Sequence, residues 1–129
     1  MRIKKKLFIL CLLLIGFTSS CDIPGTIELK NRTEDRVYYQ YYEKNLNGQI
    51  DTISIELFSE TGQNNAILAF GNGQFWKDPR IEEYFDSIEK IELITSKDTL
   101  VLTDKKEMFN YFKDRRKGLF KQKVSIIIE

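Results

Sequence analysis

Twenty residues at the head of this chain are set apart from whatever fold follows them. Arg2, Lys4, Lys5 and Lys6 lead into the apolar run 7–17, which gives way to Thr18-Ser19-Ser20 and then Cys21. A basic start, a short apolar stretch and small residues at a cut site have the layout of an export leader. As a helix the run would rise about 16 Å at 1.5 Å per residue. A bilayer core is about 30 Å thick, so removal suits this segment better than retention as a span. Cleavage ahead of Cys21 leaves 109 residues, enough for one compact domain and too few for two.

Cysteine usage extends the argument. Cys11 departs with the leader, and Cys21 is then the lone thiol of the mature chain. In an oxidising compartment a lone thiol invites wrong intermolecular bridges, whereas a thioether to lipid removes that hazard. Residues 18–21 resemble the lipobox of bacterial lipoproteins, with Thr18 where a leucine is usual. The resemblance implies a diacylglycerol on the Cys21 sulfur, palmitate on the mature N-terminus, and a protein of the cell envelope held at the membrane by its lipid. Asp22, next in line, resembles an inner-membrane retention signal of enteric bacteria or part of the surface-export signal of Bacteroidota. The chain is rich in Ile, Lys, Asn and Tyr and has only two alanines, Ala66 and Ala69. In that bias the whole chain resembles the short, mostly uncharacterised lipoproteins of Bacteroidota, a likeness that implies a location, periplasmic side or outer surface, and no activity. The expected organisation is a leader over 1–20, a short lipidated tether over 21–25 and a single globular domain over 26–129. Such a tether reaches on the order of 15 Å when extended, so the domain is expected to sit against the membrane or an anchored partner.

The leader carries four of the twenty basic residues and none of the nineteen acidic ones, which leaves the mature chain at −3. Histidine is absent. That removes Ser-His-Asp and Cys-His nucleophilic systems, the commonest zinc ligands and the usual pH switch. No Asp-rich loop has calcium-binding spacing, and Gly71-Asn72-Gly73 lacks the lysine and the length of a phosphate loop. No catalytic residue, metal or cofactor is assigned.

Strand signals cover 26–30 and 36–43, joined by the turn 31–35. Residues 51–58 alternate, with Ile53, Ile55 and Leu57 on one face and Thr52, Ser54 and Glu56 on the other. Residues 64–70 read as a shorter strand. Asp78-Pro79 reads as a cap followed by a first-turn proline, and Ile81, Tyr84, Phe85 and Ile88 make one apolar helical stripe. Residues 91–95 and 99–102 form a hairpin about Ser96-Lys97-Asp98. Asp104 and Glu107 have capping-box spacing for a second helix running to about residue 117, with Gly118 as its stop. Residues 123–129 are apolar on both faces, which suits a central strand. The order β-β-β-β-α-β-β-α-β points to an α+β fold, a mainly antiparallel sheet with two helices packed on one face.

Several features compete between function and framework. Tyr38, Tyr39, Tyr41 and Tyr42 place Tyr39 and Tyr41 on one strand face and Tyr38 and Tyr42 on the other. One pair is expected at the surface, and Tyr39 and Tyr41 are taken as the candidate patch, amphipathic rings suiting glycan or protein contact. The alternative is that tyrosine simply favours half-buried strands. Trp76 is either an exposed hot spot or a core plug against Ile81 or Phe85. Residues 104–123 hold eight basic and three acidic side chains, while the mature residues before them sum to −7. Arg115, Arg116 and Lys117 therefore complete the candidate patch, either complementing a helix C-terminus or meeting anionic headgroups. Glu82, Glu83, Asp86, Glu89 and Glu92 read as a solvated face, with glycosidase chemistry as the alternative. Asp98-Thr99-Leu100 resembles the O-glycosylation motif of Bacteroidota, with Thr99 the candidate acceptor. The expectation is a non-enzymatic binding or accessory domain with an envelope protein or a glycan as partner and no nucleic acid. A small glycan-acting envelope enzyme and an immunity or inhibitor lipoprotein are the alternatives.

Overall fold

A computed structural model of the chain describes residues 25–70, 76–119 and 121–129. The leader, Cys21 and the 71–73 turn lie outside the described residues. The chain forms β1 (Gly25–Asn31), β2 (Val37–Lys44), β3 (Ile50–Leu57), a 3-10 turn (Ser59–Thr61) and β4 (Asn65–Phe70). There follow α1 (Asp78–Phe85), β5 (Ile88–Ile94), β6 (Thr99–Leu102), α2 (Lys105–Asp114), β7 (Arg116–Lys117) and β8 (Lys123–Ile128). The α+β class stands. No helix among the described residues is long and apolar enough to cross a membrane.

The single expected sheet is two. The first, sheet A, has the order β4-β1-β8-β7, and the second, sheet B, the order β3-β2-β5-β6. Sheet B is antiparallel throughout. Sheet A is antiparallel except where β1 runs parallel to β8, Thr26 beside Lys123 through Asn31 beside Ile128. Strands β1 and β2 are thus neighbours in sequence but lie in different sheets. The reason is Asn31, a buried polar residue at the end of β1. Its side-chain amide donates to the Asp35 carbonyl at 2.8 Å and the Leu57 carbonyl at 3.0 Å. Its Oδ1 accepts from the Thr33 backbone N–H and hydroxyl. The turn this builds carries the chain across from sheet A to sheet B, and β1 keeps both its edges for β4 and β8.

The apolar residues pack as one cluster drawn from both sheets and both helices: Ile27 and Leu29 of β1, Val37 and Tyr39 of β2, Val124 and Ile126 of β8, Ile81 and Phe85 of α1, and Met108 and Phe112 of α2 among them. Burying each such side chain contributes about 1.5–3 kcal/mol. Strand β8 lies between β1 and β7 with Val124, Ser125 and Ile126 all buried, the interior position its double-sided apolar sequence suggests. Residue 76 is the knot between the layers. The Trp76 ring makes edge contacts with Phe70, Tyr84 and Phe112 at centroid distances of 5.9, 5.3 and 5.3 Å. Its indole N–H donates to the Thr26 carbonyl of β1 at 2.9 Å.

Both helices are shorter than the sequence pattern suggests. Helix α1 begins at Asp78 after Lys77 in the capping position, with no side-chain cap bond. The Asp78 carboxylate is drawn instead to Arg116, 2.5 Å away, which outcompetes a neutral backbone N–H as a partner. The helix stops at Phe85 because the Lys105 ammonium donates to the Phe85 and Ile88 carbonyls, so Ile88 opens β5 rather than closing the helix. Helix α2 starts as its capping spacing implies, Asp104 Oδ1 accepting from the Lys106 and Glu107 amides. It ends at Asp114, and Arg116 and Lys117 leave it to form β7 along β8, an element beyond the expected order. Asn31→Ala is expected to cost about 2–3 kcal/mol in chemical denaturation, because the Leu57 carbonyl loses its buried amide donor and the crossover turn loses its other three bonds. Asn31→Asp costs more at neutral pH, setting a carboxylate against two carbonyl oxygens, and the gap between the two variants narrows on acidification.

Candidate functional site

The two faces of sheet B hold different chemistry. β2 runs between β3 and β5, so whatever lies on its inner face is covered by the helices. Val37 and Tyr39 are buried there, and Tyr41 is half-buried. The expected surface pair Tyr39 and Tyr41 is therefore an inward-facing pair, with Tyr39 only 1 % exposed. Burial pushes the Tyr39 hydroxyl well up, with Tyr84, Tyr111 and Tyr41 as further ionisable neighbours acting in the same direction. Burial likewise raises Tyr41, with the Glu43 carboxylate adding to it, and raises Tyr84 strongly. Trp76 is 0 % exposed, so it is the core plug and takes no part in a surface patch. The large apolar volume of an indole between two helices and a sheet decides that outcome.

The outer face of sheet B carries the other tyrosine pair, Tyr38 and Tyr42, with Gln40 between them. The Tyr42 hydroxyl donates to Gln40 Oε1 at 3.3 Å, and the Gln40 amide donates to Ser54 Oγ at 3.2 Å. The Lys90 ammonium sits 4.2 Å from the Tyr42 ring centre and pairs with Glu92 at 2.6 Å, a carboxylate that holds the ammonium above its ordinary range. Arg36 lies 4.7 Å from the centre of the Phe58 ring and pairs with Glu56 at 2.9 Å. Tyr38, Phe58, Arg36, Glu34, Asp35 and Glu60 line an open groove of about 520 Å³ at the crossover end of this face. Tyr39 departs from its expected place at the surface, whereas Tyr41 is half-buried, as Tyr38 and Tyr42 are. The signal was available in Val37, an apolar residue of the same parity as Tyr39 and Tyr41, opposite Gln40.

Most of the basic residues near α2 are engaged inside the molecule. The Arg115 guanidinium lies 3.5 Å over the Tyr111 ring and donates to the Tyr111 carbonyl. Arg116, with a side chain 11 % exposed, donates to the carbonyls of Trp76 and Lys113 and to Asp78. Lys113 lies 3.6 Å from the same Asp78 carboxylate, which these cations, Arg116 first, hold below its usual range. Arg115 and Arg116 are therefore helix-closing groups rather than exposed ligands, as the C-terminal placement of cations favours. Lys117 is exposed and makes no ion pair among the described residues. Lys123 pairs with Glu28 at 2.9 Å, and Glu28 also holds Lys30 at 2.7 Å.

Glu82 and Glu83 lie exposed on α1, Asp86 is exposed just past its end, and Glu89 is exposed on β5. Among the described residues no three or more His, Cys, Asp or Glu side chains gather as a metal-binding set. Thr99 is exposed where the β5–β6 turn opens β6. Cys21 lies outside the described residues. Neither a protein-family model, nor a curated protein, nor a solved structure matches this chain.

The Glu28 pairings give a pH dependence with a definite sign. Hydrogen bonds from Lys30 and then Lys123 hold its carboxyl below the usual value, so its contribution is present above the unfolded-state value and lost as pH falls through the folded one. Glu28→Gln is expected to lose about 1 kcal/mol at neutral pH. That difference from the parent should close between about pH 5 and pH 3 in denaturation curves. A difference that stays constant across this window would assign the cost to packing instead.

Proposed function

We propose that the protein is a lipid-anchored, non-enzymatic binding or accessory domain of a bacterial cell envelope, tethered through Cys21 and engaging an envelope protein or glycan through the outer face of sheet B. The leader, the lone mature cysteine and the likeness to short Bacteroidota lipoproteins support the anchor. One observation carries the binding role: Tyr38, Tyr42, Phe58 and Arg36 form an amphipathic face on a central strand and its neighbours, with the charged groups paired and the groove open. Rings held by a rigid sheet lose little conformational freedom on binding, which favours them as contact residues. The groove carboxylates Glu34, Asp35 and Glu60 suit hydrogen bonding to sugar hydroxyls or to a basic segment of a protein, and Asp35 already accepts from the Ser96 hydroxyl at 2.8 Å. Thr99, exposed at a turn, fits the role of glycan acceptor.

Growth with an alkyne-bearing palmitate analogue tests the anchor: the parent chain takes up the label and stays with membranes, whereas Cys21→Ser takes up none. A photo-crosslinking residue at position 38 tests the face. It is expected to trap a partner in native membranes that the same residue at Ile67, on the outer face of β4, does not trap. Equal trapping from both positions would remove the case for sheet B.

A further inference from the structure

The described chain begins at Gly25, four residues beyond the cysteine that the proposed function places in the bilayer. Extended, that span covers about 14 Å, so the surface around the start of β1 faces the lipid at close range. Strand pairing fixes what lies there. Gly25 sits across from Phe70, Thr26 lies beside Lys123, and the Thr26 amide donates to the Gln122 carbonyl. The Trp76 indole holds the Thr26 carbonyl and so brings Lys77 and the first turn of α1 to the same end. Asp78 in that turn gathers Arg116 and Lys113, and Lys121 lies close enough to act on its carboxylate. Lys117 stands across from Lys123 in the β7–β8 pair.

Six basic side chains thus surround the point where the chain leaves for its anchor: Lys77, Lys113, Arg116, Lys117, Lys121 and Lys123. The carboxylates among them are Glu28, Asp78 and Asp114. Glu28 and Asp78 are held by these same cations and by Lys30, which leaves Lys77, Lys117 and Lys121 exposed and outside any ion pair among the described residues. In the middle of this basic surface the turn between β7 and β8 holds Leu119, 89 % exposed. Gly118 at φ +95° and Lys121 at φ 54° give the turn its tight left-handed corners. An exposed leucine flanked by lysines at a short tether's length from lipid is the composition of a bilayer-facing surface, the apolar tip entering the headgroup layer and the ammonium groups meeting phosphates.

We infer that this end of sheet A docks on an anionic lipid bilayer, with Leu119 in the headgroup layer and Lys77, Lys117 and Lys121 against lipid phosphates, so that the anchored domain holds one fixed orientation. The inference rests on the anchor reading and adds to it: an acyl chain alone would leave the domain free to tumble on its tether. The other end of β1 lies about 20 Å away at 3.3 Å per residue. There the Ser96 hydroxyl contacts Asp35 of the crossover, placing the neighbouring Lys97 far from the bilayer.

The test uses the full acylated chain, purified from membranes and reconstituted into vesicles. An environment-sensitive dye is attached at Leu119→Cys or, as control, at Lys97→Cys, with quenchers carried on the lipid chains. In vesicles of phosphatidylcholine and phosphatidylglycerol the label at 119 is expected to be quenched and the label at 97 is not. Pure phosphatidylcholine, or Lys117→Glu with Lys121→Glu, should reduce the docked fraction several-fold, each lost lysine weakening contact about fivefold. Equal quenching at 119 and 97, or quenching at 119 indifferent to lipid charge and to the lysine changes, overturns the docking inference. An acyl mass on Cys21 with an unquenched label at position 119 would sink the docking while leaving the anchor intact. An unacylated Cys21 with the chain in the aqueous fraction would sink both.

Discussion

The indole of Trp76 is the joint on which the architecture turns. Two sheets and two helices share one core, and sheet A and both helices meet at this ring, in edge contact with Phe112 of α2, Tyr84 of α1 and Phe70 of β4. Aromatic pairs in such geometry add about 0.5–1.5 kcal/mol each beyond their buried area. The same residue ties polar groups. Its N–H is bonded to the Thr26 carbonyl and its own carbonyl accepts from Arg116. The start of β1, the first turn of α1 and the end of α2 are therefore held as one assembly. Arg116 and Asp78 meet at this same joint, Arg116 donating both to the Trp76 carbonyl and to the Asp78 carboxylate.

Local grammar was legible wherever a few consecutive residues decide the outcome. Asp104 caps α2 because its side chain needs only the two amides that follow. The β5–β6 hairpin forms about its turn, with Thr95 and Asp98 bonded to each other across it. The double-sided apolar run of β8 announced an interior strand. Helix ends were less legible because distant cations set them. Lys105, seventeen residues from Ile88, closes α1 early, and Asp78 with the Trp76 carbonyl draws Arg116 away from α2 into β7. No local pattern in those residues states which far partner will win.

Pairing between strands was the least legible. The β1–β8 contact joins the first strand to the last, and nothing in either strand names the other. The split into two sheets depends on one side chain, Asn31, whose four hydrogen-bonding positions are all filled. In sequence the same asparagine reads as an ordinary turn residue, which is why a simple link between neighbouring strands was the natural expectation. The tyrosine faces were a different matter. Their parity was readable from Val37 and from the Ile53-Ile55-Leu57 face that β2 pairs with, since apolar residues on both strands must share the covered side. The misassignment came from weighing the tyrosines alone.

Charge is unevenly distributed along the molecule. The chain as a whole is close to neutral, yet Lys77, Lys117 and Lys121, exposed and outside any ion pair among the described residues, lie where β1 begins, and the groove carboxylates Glu34, Asp35 and Glu60 gather beyond the opposite end of β1. Seven residues of strand separate the two groups by about 20 Å, more than twice the Debye length of about 8 Å at physiological ionic strength. Each end therefore acts on its own surroundings with little interference from the other. On the docking inferred above, an anionic bilayer would attract the lysines where β1 begins, while the carboxylates about 20 Å away would lie beyond the reach of its screened field. On the same docking inference the groove on sheet B would face away from the lipid, leaving Tyr38 and Phe58 open to the proposed partner.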